Sequence, residues 1–269
     1  LERSTFMTPE EMAKTEFSLA KIRELTSARI GIGRTGGSLK TAEILDFDLA
    51  HAKARDAVGA DFIATEFMTQ LQSALKTTCP KLSWLTLQSA ASDKPTYLKR
   101  PDYGRRLHES SVHELNNHQK HDDLIIIISD GLSPRAVQSH SIAVLRSWMP
   151  MLYASQIKIG PIMVVPYARV GIVDPIGQIL RPKSALILLG ERPGLATPES
   201  LGAYFTFNPQ TGRTDADRNC ISNIHAFGIG PEQVALQLHS LLTLSLRKKM
   251  GGVKLSELMA EGSASTRLE

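Results

Sequence analysis

The 269-residue chain carries 42% hydrophobic and 22% charged side chains, a soluble globular balance sized for one large domain or a small helical domain plus a medium one. Its 31 Lys+Arg against 27 Asp+Glu give a net charge of +4, spread along the sequence instead of massed in a stripe, so nucleic acid gains no support as a partner. No apolar run reaches the roughly 18 residues that a membrane helix needs, and no signal peptide opens the chain, so the expected compartment is the cytoplasm with no membrane partner.

In chain order, residues 9 to about 78 predict helices at 9–28, 40–58 and 62–77, broken by the glycine-rich stretch RIGIGRTGG. Gly31-Ile32-Gly33-Arg34-Thr35-Gly36 spells the dinucleotide fingerprint G-x-G-x-x-G, but that motif works only between a buried strand and a helix. Here helical periodicity stands on both sides, so the stretch reads as a loop whose glycines allow positive φ. From Trp84 the texture changes. WLTLQS predicts a short strand, and GRRLHESSVHELNNH predicts a helix after a polar loop. Leu124–Ile128 is an unbroken β-branched run suited to a parallel strand covered on both faces, and Ser133-Pro134 after it spells a helix start. The run IGPIMVVPYARV ends at Val170 and SALILLG ends at Gly190. A last helix, PEQVALQLHSLLTLSLRKKM, closes on Arg247, Lys248 and Lys249, and the residues after Lys254 read as a small, polar, partly frayed tail. The expected fold class is α/β. A helical N-terminal region over 1–80 precedes a largely parallel, Rossmann-like sheet with flanking helices over 81–254, and a polar tail covers 255–269.

In an open parallel sheet, ligands sit outside the carboxyl ends of the strands. Three such ends are legible: Ser129-Asp130-Gly131-Leu132-Ser133, Arg169-Val170-Gly171 and Gly190-Glu191-Arg192-Pro193-Gly194. Together they suggest one crevice. No catalytic motif accompanies them: there is no G-x-S-x-G, no H-E-x-x-H and no P-loop. His108, His113 and His118 are spaced by five, which leaves successive side chains about 140° apart on a helix, so no metal site is expected. Cys79 and Cys220 are far apart with no C-x-x-C, a pattern for a reducing compartment. Asn223-Ile224-His225-Ala226-Phe227-Gly228 approximates D-x-H-x-x-G, whose histidine ligates cobalt in some corrinoid proteins. Asn223 lacks the carboxylate that raises the imidazole's basicity, so His225 is expected to be structural.

The segments GRTGGSLKT, LAHAKARDAV, YLKRPDYGRRL, ISDGLS, YARVGIVDPIG, GERPGL and SLGAYFTFNPQTGRTDADRNCISNI together resemble the small subunit of ethanolamine ammonia-lyase, from about Ile30 to about Leu242. Ala50 departs from the family's usual Asp. The resemblance implies an enzyme that uses adenosylcobalamin to convert ethanolamine to acetaldehyde and ammonia by radical chemistry. It implies a large subunit as partner, which binds the ethanolamine, while the small subunit closes over a cobalamin that keeps its own lower base. It implies cobalamin contacts at Val170, Glu191 and Cys220, and no catalytic residue in this chain. Enclosure in a bacterial microcompartment is not written in the sequence. A second class stays open on sequence alone, a free-standing α/β nucleotide-binding or scaffold protein, and copurification with a large subunit separates the two.

Overall fold

The computed structural model of the chain describes residues 19–26, 28–78 and 82–265. Of the first expected helix, residues 19–25 are helical, and residues 9–18 and Cys79 lie outside the described residues. The glycine stretch folds into a two-residue antiparallel hairpin, Arg34–Thr35 with Ser38–Leu39, with Gly31 and Gly36 at φ 62° and 61°. Helices α1 (Thr41–Gly59) and α2 (Ala64–Leu75) follow.

The body is a six-stranded sheet built from β1 (Trp84–Thr86), β2 (Leu124–Ser129), β3 (Ile159–Val164), β4 (Ser184–Gly190), β5 (Leu201–Phe207) and β6 (Arg218–Ile224). Its spatial order is β1-β3-β2-β4-β5-β6. The pairs β1–β3, β3–β2 and β2–β4 are parallel, whereas β4–β5 and β5–β6 are antiparallel. The mostly parallel α/β sheet is therefore as expected, and the β5–β6 hairpin extends it.

Burial explains the β-branched run. Leu124, Ile126 and Ile128 enter one core with α2, α5 (Ile142–Ala154) and α7 (Pro231–Lys248), and Ile125 and Ile127 enter the other with α6 (Val173–Leu180). A strand covered on both faces can only be continuously apolar. Strand β3 tolerates the buried Pro161 because the β2 register shifts there, between Leu124 and Ile126, and a bulge needs no amide from it. The helix start at Ser133 is as expected, with its hydroxyl accepting the Ala136 N–H at 3.3 Å.

Two boundaries are corrected. The apolar run that reaches Val170 leaves the sheet at Val164, since Pro166 cannot donate to a ladder and Tyr167 turns at φ 55°. The sequence after Lys254 is not a frayed tail from its start: α8 (Gly252–Ser265) is helical, with Leu255 fully buried. Asn219 on β6 anchors it, accepting the Gly252 N–H at 2.7 Å and donating to the Ser256 hydroxyl at 2.8 Å. Among the described residues, no helix is long and apolar enough to cross a membrane.

Candidate functional site

A cleft of about 1140 Å³ opens on the α6 side of the sheet. One wall comes from α3 (Lys94–Lys99) through Tyr97 and from the following loop through Arg105, Arg106 and Leu107. The segment after β3 supplies Arg169, Val170 and Gly171, and α6 supplies Asp174 and Pro175. The far side is Leu189–Arg192 at the end of β4, Tyr204 on β5, Thr211 and Arg213–Asp215 in the hairpin connection, and Arg218 and Cys220 on β6.

The structure brings Val170, Glu191 and Cys220 onto this one cleft. Val170 opens a short 3₁₀ turn, Val170–Ile172, six residues beyond β3, and not at a strand end as the sequence suggests. Glu191 directly follows β4, its N–H donating to Ser200 O at 2.9 Å. Its Oε2 accepts the Ser200 hydroxyl at 2.5 Å and the Asn223 N–H at 3.4 Å. Gly202 makes room for that carboxylate, because a Cβ there would stand 2.8 Å from Glu191 Oε1. Cys220 faces Tyr204 across the β5–β6 register and is exposed to the cleft. Surrounding protein pushes its thiol above its ordinary pKa, the Glu191 charge adds to this, and the Tyr204 hydroxyl partly offsets it. Cys220 is thus a thiol at neutral pH, not a nucleophilic thiolate.

The cleft is rich in guanidinium groups. Arg218 is paired with Asp174 at 2.8 Å, Arg213 with Asp217 at 3.3 Å and Arg106 with Asp102 at 2.9 Å. Arg169 lies 4.2 Å over the Tyr97 ring and donates to Tyr97 O at 3.2 Å. Arg169 Nε, Asp174 Oδ1 and Arg218 Nε are buried without a hydrogen-bond partner. Such orphans cost free energy, and Arg218 Nε recovers part of it from Asp215 Oδ1 at 4.0 Å.

Other candidates go elsewhere. From the β2 end only Leu132 reaches the cleft. Asp130 is fully buried, accepting the Tyr167 N–H at 2.7 Å and lying 3.6 Å from Lys94 Nζ, and burial raises its pKa despite that ammonium. His225 does not line the cleft; its Nδ1 accepts the Phe227 N–H at 3.2 Å in a tight turn where Asn223 takes φ 60°. Sequence patterning gives no signal for Tyr204, Gly202 or Arg105, because their roles depend on strand register and loop packing.

Comparison with known proteins decides what this cleft belongs to. The family described as "Ethanolamine ammonia-lyase light chain (EutC)" matches residues 16–256, which span every cleft-lining position. The chain belongs to the ethanolamine ammonia-lyase small-subunit family. "Ethanolamine ammonia-lyase small subunit" of Pseudomonas fluorescens (strain SBW25) is 42% identical over 241 residues, 88% of this chain and 85% of that protein. The proteins of the same description from Pseudomonas aeruginosa (strain LESB58) and Azotobacter vinelandii (strain DJ / ATCC BAA-1303) are each 43% identical, over 91% and 90% of this chain and 89% of each relative. The ethanolamine ammonia-lyase family is a lyase family, and a small subunit implies a large-subunit partner.

Proposed function

We propose that this chain holds adenosylcobalamin in its cleft, against a large subunit that binds ethanolamine, in an enzyme that releases acetaldehyde and ammonia. What supports the reading is the convergence of Val170, Glu191 and Cys220 on one cleft, where Glu191 keeps one carboxylate oxygen without a partner among the described residues. A corrin ring is rimmed with neutral carboxamides, which need both donors and acceptors. Glu191 Oε2 is engaged by Ser200 and Asn223, and Oε1 has no partner among the described residues, so it accepts a carboxamide N–H. The fixed Ser200 and Asn223 contacts orient the carboxylate beforehand, which lowers the entropic cost of binding. The backbone at Val170 and the un-ionised Cys220 thiol complete the contact set, with Cys220 packing as a small apolar group.

When bound, adenosylcobalamin supplies the radical chemistry, and this chain supplies position and exclusion of water. It contributes no proton-transfer pair to the reacting atoms. The chain alone is therefore expected to show no lyase turnover. Mixing it with large subunit and adenosylcobalamin should produce acetaldehyde, read by coupled oxidation of a nicotinamide. Ammonia release by this chain without the large subunit, or reconstitution that binds no corrinoid, defeats the reading.

A further inference from the structure

Two loops on the cleft wall exchange arginine stems. A Cβ at Gly104 would stand 2.8 Å from Arg169 Cγ, and a Cβ at Gly171 would stand 3.1 Å from Arg105 Cγ. Each loop's glycine thus receives the other loop's arginine, and the Arg169 N–H locks the pair by donating to Gly104 O at 2.7 Å. The result is two arginines, fixed by their stems, that line the cleft together with Val170 and Gly171. Their partners differ. Arg169 is fixed on Tyr97, while Arg105 is exposed and has no hydrogen bond or ion pair among the described residues. The nearby carboxylates are already committed, Asp102 to Arg100 and Arg106, and Asp174 to Arg218. A pair of positive groups held by reciprocal packing, neither of them in an ion pair among the described residues, is a prepared anion seat.

We propose that Arg105 and Arg169, across the Val170–Gly171 backbone, form a seat for a phosphodiester. This rests on the cobalamin reading above, because the cofactor's carboxamides are neutral and its nucleotide tail carries one phosphodiester. A tetrahedral phosphate offers oxygens in several directions at once, which suits donors arriving from two loops. Free inorganic phosphate shares that chemistry and is the competing occupant.

The test uses the complex with the large subunit and two corrinoids, cyanocobalamin and cobinamide, the second lacking phosphate, ribose and base. Arg105→Gln should weaken cyanocobalamin binding about ten- to hundredfold, the loss of a charge-assisted contact, and leave cobinamide binding unchanged. Arg105→Lys should recover part of the loss, since a point charge remains without the planar fork. Equal weakening of both corrinoids, or of neither, overturns the seat. A parent complex that binds neither corrinoid defeats the cofactor reading itself and takes the seat with it. Inorganic phosphate that binds the parent complex and not Arg105→Gln, with cyanocobalamin affinity unmoved both by added phosphate and by the substitution, assigns the seat to free phosphate and overturns the nucleotide-tail assignment.

Discussion

The Asp174–Arg218 pair joins the first turn of α6 to the start of β6, and its removal should be felt by the whole fold. Its side chains are 12% and 6% exposed, with Nη2 and Oδ2 at 2.8 Å, and Arg218 also donates to the Thr206 hydroxyl at 3.2 Å. Burial raises the Asp174 pKa even against the attraction of Arg218, so desolvation is already a heavy cost in the intact pair. Asp174→Asn leaves a guanidinium that cannot deprotonate, and an uncompensated buried charge costs about 3–5 kcal/mol. For a chain of this size that lowers Tm by roughly 6–20 °C. Arg218→Met leaves a carboxyl that can neutralise itself, so its penalty should be smaller and should shrink as pH falls into the raised Asp174 range. The double substitution Asp174→Leu with Arg218→Met removes both charges and should return to about the parent's stability or above it, at least about 3–5 kcal/mol above the Asp174→Asn single. Urea unfolding followed by far-UV circular dichroism, across pH 4 to 8, reads all three. An Asp174→Asn variant within about 0.5 kcal/mol of the parent, or a double variant no more stable than that single, refutes the reasoning.

Two further outcomes follow from the raised pKa values of Asp130 and Cys220. Asp130 has a folded pKa above its unfolded value, so the folded state holds the proton more tightly and stability drains away as pH rises from the unfolded carboxyl range toward the folded one; Asp130→Asn should therefore look most damaging in acid and less so at neutral pH, and a penalty that grows with pH contradicts the assignment. Cys220 should alkylate slowly at neutral pH despite its exposure, with a rate midpoint above that of a free cysteine in peptide-resolved mass spectrometry; a midpoint at or below the free value contradicts the raised pKa.

How much of this was legible depended on what the sequence had to satisfy locally. The β2 run was legible because two covered faces force continuous apolar residues, and the Ser133 cap because one hydroxyl does one job. Strand β6 was not, since RNCISNI is polar and half exposed, and its pairing comes from register with β5. The helix at Gly252–Ser265 hides for a similar reason, as Asn219, distant in sequence, caps its start. Glu191 and the Val170 neighbourhood stood out as polar, glycine-marked ends of apolar runs, whereas Arg105 could not, because a loop arginine acquires its position only from Gly171.

The missed hairpin also explains where the cleft lies. Parallel strands need long crossovers whose helices cover the sheet, so a ligand site in such a sheet is confined to the strand ends. Strands β5 and β6 are joined without a crossover helix. Helix α7 and its neighbours cover the face that holds Ala203, Phe205 and Ile224; on the opposite face Tyr204 packs against the core that α6 enters, and Tyr204 and Cys220 line the cleft. The cleft therefore starts at the β4 end by Glu191 and continues along that face to Arg213 and Asp215. Two antiparallel strands turn a pocket at the sheet's edge into an extended groove with polar walls. The large, flat, amide-rimmed ligand proposed above would fit that shape, and a purely parallel sheet of the same length would have filled it with a helix.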